Sequence, residues 1–312
     1  MSPISAVMRR ELRSYFVTPV AYVFLMLFLV LAGMLTFYAG DFYERQQADL
    51  QPFFAMHAWL YLILVPAVTM RMWAEEAKGG TLELLLTLPI SLAQAMLGKF
   101  LAAWLFIGCA LLLTFPIWLT VNYLGSPDNG VILAGYLGSW LMAGAFIAVG
   151  ACMSATTRSQ VVAFILTAVV CALLILVGQP EVRDFFQGAL PRRLVNGMAQ
   201  LSLLSHFEAI ARGVLDLRDL SYFLLTILAW LAAGVLVLAY VALVLGGSRW
   251  LRGGRMDLTE DQLYTLTPGT LHIVEGLRRP LKLTLYFSDH AARELPQLRS
   301  YEQRVREMLQ EM

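Results

Sequence analysis

The sequence predicts an all-α polytopic membrane protein. Three observations point there. Hydrophobic residues make up 59% of the chain and charged residues only 14%, against about 25% charged in soluble domains. The mean hydropathy is +0.66. Six stretches each reach the roughly 20 apolar residues that cross a bilayer: Pro19–Ala39, Phe53–Met70, Phe100–Leu124, Val131–Thr157, Ser159–Gly178 and Leu220–Ser248, none with an Asp, Glu, Lys or Arg.

Ahead of the first span, Ile4, Val7, Met8, Leu12, Tyr15 and Phe16 recur at helical spacing, with Ser5, Arg9, Arg10 and Arg13 on the other side. That pattern predicts an amphipathic helix along the membrane surface, its arginines near anionic headgroups. The first span is too long for the apolar core of a cleaved signal and no small-residue cleavage site follows it, so it is expected to remain. Lys and Arg set the orientation. Arg9, Arg10, Arg13, Arg71, Lys78, Lys99, Arg158, Arg249, Arg252 and Arg255 flank alternate span ends, whereas the opposite loops offer only Arg45 beside Asp41, Glu44 and Asp49, and Asp128 alone. The N-terminus is therefore expected in the cytoplasm, and six spans return the chain there. Pro66 and Pro116 are candidate kinks. Gly135, Gly138, Gly144 and Gly150, with Ala and Ser between them, give the fourth span a small face suited to close helix packing. The connection Gln179–Asp219, balanced in charge and punctuated by Pro180 and Pro191, is expected to form short amphipathic helices on the outer face through Phe185, Phe186, Leu190, Val195, Met198, Leu201, Leu204 and Phe207.

The connection between the second and third spans concentrates the charge. Gly79-Gly80 can end a helical extension of the second span, because glycine accepts the left-handed stop. Thr81 then caps a short helix with Glu83 in its first turn, where a negative charge suits the helix dipole. Pro89 closes it. Ser91 and Gln94 form a Ser-x-x-Gln capping box that opens the next helix through Lys99 into the third span. The expected product is a rigid elbow tied to two spans, able to transmit a push.

The run EEAKGGTLELLLTLPISLAQAMLGKFLAAW at 75–104 resembles the corresponding loop of ABC-2 type permeases, whose recurrent pattern is E-x-x-x-G-T-x-E-x-L-L-x-x-P. RRELRSYFVTPVAYVF at 9–24 and AVGACMSATTRSQVVAF at 148–164 are similar to the same group. The nearest likeness is to gliding-motility (GldF-like) permeases and those of nitrous-oxide-reductase maturation, over about residues 1–245. The resemblance implies a six-span permease domain at 1–248, two permease halves (homodimer or heterodimer) in the inner membrane, two ABC ATP-binding subunits, and export as the direction of transport. It implies that the elbow docks on the ATPase through Glu76, Gly80, Thr81, Glu83, Leu85, Pro89 and Ser91, and that Arg10, Glu11 and Tyr15 belong to the interface helix. ATP would be bound by the partner subunit, with no cofactor in this chain.

Residues 249–312 differ. The stretch from Arg255 to Thr270 resembles the start of a gliding-motility (GldG-like) auxiliary domain. Thr267 with Pro268 predicts a helix start, Leu281, Leu283, Leu285 and Phe287 alternate as a strand, and Leu295, Leu298, Val305, Met308 and Leu309 line a final helix. One strand and so small a core do not stand alone, so a small incomplete α/β tail completed by the remainder of an auxiliary subunit is expected. The resemblance places it outside, whereas Arg249, Arg252 and Arg255 favour the inside, which is the expected side.

Chemistry within the chain has little support. There is no G-x-x-x-x-G-K-[ST] phosphate loop. Cys109, Cys152 and Cys171 lie in apolar runs without CxxC spacing, and His57, His206, His272 and His290 are scattered; neither catalysis nor a metal site is expected. The net charge of +1 gives no sign of a nucleic-acid partner. Spans without ionisable groups argue against ion coupling and for an energy source outside the bilayer. Two alternatives stay open: a non-transporting anchor for the auxiliary domain, and a channel or secondary carrier.

Overall fold

An apolar segment in lipid must satisfy its own backbone, so these runs fold as helices. The computed structural model describes residues 2–40, 42, 49–87, 89–179, 182, 184, 197, 200–250, 269, 272, 276, 285–287, 301–302 and 305–306. The regular elements are all helical: α1 (Pro3–Val17), α2 (Pro19–Met34) with a π-helical turn at Leu35–Ala39, α3 (Gln51–Thr69), α4 (Ala74–Gly79), α5 (Thr81–Thr87), α6 (Leu92–Leu112), α7 (Phe115–Leu124), α8 (Asn129–Ala155), α9 (Gln160–Leu176), α10 (Leu203–Ala211) and α11 (Leu217–Trp250). Two compact units emerge, Met1–Val244 and Leu245–Met312.

Among the described residues, five segments are long and apolar enough to span: Ala21–Tyr38, Gln51–Gly79, Leu92–Leu124, Asn129–Ala155 and Leu217–Val244. The fifth expected span, α9, is 17 residues, about 25 Å of helix at 1.5 Å per residue, at the short end of the spanning range. Pro66 lies inside α3 without breaking it. Near Pro116 the helix does break, α6 ending at Leu112 and α7 starting at Phe115, where the Thr114 hydroxyl donates to the Leu111 carbonyl at 2.6 Å.

The small face of α8 is where the bundle closes. A Cβ on Gly150 would strike the Thr69 hydroxyl, one on Gly135 the Phe54 ring, and one on Gly138 would lie 2.7 Å from Ile210. Thus α3 and α10 approach α8 more closely than any side chain allows. Tyr61 and Ser139 hydroxyls bond at 2.7 Å across α3 and α8. Trp104 of α6 and Trp140 of α8 stack at 4.2 Å, and each indole N–H donates to the other residue's carbonyl, at 2.9 and 3.3 Å. His57 is buried among Phe28, Phe53, Phe54 and Tyr61 and bonds the Phe53 carbonyl at 2.8 Å, a packing residue.

In the Gln179–Asp219 connection, α10 is amphipathic and buries Leu203, Phe207 and Ile210. His206 bridges to α11, with Nδ1 2.6 Å from Asp219 and the ring stacked on Tyr222 at 4.0 Å. Phe185, Phe186, Leu190, Val195 and Met198 lie outside the described residues. So do most of the tail's expected elements. Leu285, Tyr286 and Phe287 are described and carry no strand, so the expected strand is not found at that end of 281–287.

Candidate functional site

The elbow between α3 and α6 has three parts. First, the helix is interrupted at Met70–Trp73, and Ser154 of α8 fills the gap. Its Oγ accepts from the backbone N–H groups of Trp73 at 3.0 Å and Ala74 at 3.1 Å and donates to the Met70 carbonyl at 3.0 Å. One hydroxyl thereby meets three of the backbone groups that a helix break exposes. The expected helical extension of the second span takes the form of a separate short helix, α4, pinned to α8.

Second, α4 ends as expected, with Gly80 in the left-handed region at φ 71°. Thr81 does something else. It is the first residue of α5, and its hydroxyl turns back to donate to the Glu76 carbonyl at 3.4 Å. It therefore satisfies the end of the preceding helix instead of capping the next, because the tight Gly79-Gly80 turn brings that unpaired carbonyl within reach. The Ser91–Gln94 box forms in both directions, Gln94 N–H to Ser91 Oγ at 3.2 Å and Ser91 N–H to Gln94 Oε1 at 3.0 Å. In α5, Leu82 and Leu85 are buried, whereas Leu84 is 66% exposed. Around it Lys78, Gly79, Gly80, Thr81, Pro89 and Ser91 are exposed, and Glu83 is half-buried.

Third, a charge cluster joins the elbow to α1 and α6. Lys99 of α6 is 4% exposed. Its ammonium lies 2.8 Å from Glu76 Oε1, 3.4 Å from Glu11 Oε1 and 2.8 Å from the Met72 carbonyl, 5.0 Å above the Trp73 ring. Arg10 closes the set at 2.6 Å from Glu11 and 3.6 Å from Glu76. Burial raises the Glu11 carboxyl, but Lys99 and Arg10 outweigh it and hold the group below its ordinary value. The Glu11 hydrogen bond raises Arg10. Tyr15 stacks on Phe106 of α6 at 5.1 Å, and burial pushes its phenol up. A Cβ on Gly98 would lie 2.7 Å from Val7, so α1 rests almost backbone to backbone on α6.

Of the residues expected at the site, Arg10, Glu11, Tyr15 and Glu76 come together here, and Gly80, Thr81, Glu83, Leu85, Pro89 and Ser91 form the adjoining elbow. Lys99 and Ser154 were missed as site residues. Lys99 is a lone cation at the mouth of an uncharged run, and Glu11 falls on the apolar stripe of α1; each was a readable sign of a buried partner. Ser154 gave no sign beyond its place among small residues. Among the described residues no cluster of His, Cys, Asp or Glu is arranged to hold a metal.

Residues 5–255 match the family described as ABC-2 family transporter protein. The chain belongs to that family. This ABC-2 family member is a multi-pass membrane protein and a permease component of an ATP-binding-cassette transporter, which implies an ATP-binding partner. Residues 260–312 match a domain family of unknown function, DUF7088. No curated protein matches the chain. The elbow is fastened to the N-terminal helix α1 and to the spanning helices α6 and α8.

Proposed function

We propose that this permease is the membrane half of an ATP-driven exporter and that the α4–α5 elbow is the contact for its ATPase. Six spans run through α2, α3, α6–α7, α8, α9 and α11, with the N-terminus in the cytoplasm and the chain in the inner membrane. Two such halves, identical or different, pair with two ATPases. ATP binding closes the ATPases, each pulls an elbow, and the halves rock to change access to the space between them. The GldF-like reading of 1–248 and the pairing of 249–312 with the rest of a GldG-like auxiliary subunit belong to the same proposal.

The observation that carries it is the Lys99–Glu76–Glu11–Arg10 cluster. It fixes α4 to both the surface helix and the third span, so displacement of α5 moves all three together. Leu82 and Leu85 seat the elbow; Thr81, Leu84, Pro89 and Ser91, all exposed, with Glu83 beside them, form the docking face.

The test uses vesicles holding the permease with its ATPase. Glu83→Lys reverses a charge on the docking face and is expected to abolish co-purification and stimulated ATP hydrolysis while the protein still inserts. Lys99→Met is expected to keep co-purification but reduce stimulation. Unchanged stimulation in both variants refutes the coupling role, and an ATPase that binds regardless of residues 75–91 favours an anchor.

A further inference from the structure

We propose that the cavity between α1, α2, α3 and α6 seats one membrane phospholipid whose headgroup carries a primary ammonium, of the phosphatidylethanolamine class. The cavity holds about 440 Å³. One wall is hydrocarbon, from Phe24, Leu64, Val68 and Phe106; the other end carries Arg71 and Glu76. Glu76 Oε1 is engaged by Lys99 and Arg10. Glu76 Oε2 is buried, lacks a hydrogen-bond partner among the described residues, and belongs to a residue lining this space.

A buried carboxylate oxygen without a donor is unfavourable. Its natural complement is an N–H donor with positive charge. Around that end the carboxylates Glu11, Glu75 and Glu76 are balanced by Arg71, Lys99 and the adjoining Arg10, so a head with no net charge fits. Arg71 uses Nε on Glu75 at 3.2 Å, which leaves its terminal nitrogens as donors for a phosphate beside the ammonium. A zwitterionic head with N–H groups therefore matches both charges at that end.

The hydrocarbon wall requires acyl chains, and the route in is lateral. Val23 is 64% and Leu27 44% exposed on the spanning helix α2, and both line the cavity. A lipid of the leaflet that carries α1 thus reaches the space sideways, with its head at the level of the charge cluster. A quaternary ammonium has no N–H to give, and an anionic head without an ammonium brings no cation to Glu76 Oε2.

The experiment is native mass spectrometry of the purified full-length chain, equilibrated with equal amounts of phosphatidylethanolamine, phosphatidylcholine and phosphatidylglycerol. One phosphatidylethanolamine is expected to be retained over the other two by about tenfold, the effect of a single charge-assisted hydrogen bond. Ala67→Trp, or Val68→Phe should the first not fold, fills the cavity and is expected to remove that retention; Glu76→Gln is expected to reduce the preference. Equal retention of the three lipids overturns the proposal. So does full retention by a folded cavity-filled variant, which would assign the lipid to the outer surface. Displacement by free ethanolamine at millimolar concentration also overturns it, in favour of a small amine. None of these readouts depends on ATPase coupling, so this inference and the docking reading fail separately.

Discussion

Lys99→Met is the most informative perturbation. The ammonium is almost fully buried, with Glu76 Oε1 and the Met72 carbonyl each at 2.8 Å and Glu11 at 3.4 Å. Methionine fills the same channel but leaves two carboxylates facing each other, with Arg10, itself 59% exposed, as their remaining countercharge. Removing one partner of a buried ion pair destabilises by about 3–5 kcal/mol. Glu11 and Glu76 keep 21% and 17% exposure, so the lower end applies, about 3 kcal/mol, or roughly a 150-fold shift in the unfolding equilibrium. Denaturant titration in detergent micelles measures it. The control is the double variant with Glu76→Gln, which removes the stranded charge. If the loss comes from an uncompensated carboxylate, the pair should recover at least about 1.5 kcal/mol as coupling energy. An unfolding midpoint for Lys99→Met within about 0.5 kcal/mol of the parent, or additive losses in the double variant, would refute the reasoning.

Other outcomes follow from the same geometry. Ser154→Ala orphans the Trp73 and Ala74 N–H groups and should lower stability by about 2 kcal/mol, read by the same titration. Gly150→Ala drives a Cβ into Thr69, whereas Gly33 has nothing within 4 Å; the first should reduce the folded yield sharply and Gly33→Ala should be neutral or slightly stabilising. Gly80→Ala meets no atom but must hold φ 71°, a loss of about 1–2 kcal/mol confined to the elbow and visible as faster proteolysis between α4 and α5. Glu11 binds its proton less readily folded than unfolded. Its contribution is complete above its ordinary value near about pH 4.3 and lost as pH falls through the lowered folded value. Stability of the parent relative to Glu11→Gln should therefore stay level from about pH 7 to about pH 5 and decline only below about pH 4.

What the sequence determined by itself is what depends on local composition and spacing. Long apolar runs must be helical in lipid, glycine must take the left-handed turn at position 80, and Ser91 with Gln94 must cap α6, since each of these satisfies backbone groups within a few residues. The amphipathic stripe of α1 was legible for the same reason. Tertiary structure decided which distant groups meet. Lys99 reads along the chain as an orienting charge at the mouth of a span, but α1 lying against Gly98 makes it the centre of a buried cluster. Ser154 reads as one small residue among many until the break at Met70–Trp73 comes to rest beside it. Thr81 looks like a cap for the helix ahead, and only the fold of the turn brings the carbonyl behind it within reach. A buried charge or an exposed backbone group takes whichever partner packing places within about 3 Å, and spacing along the chain carries no record of that distance.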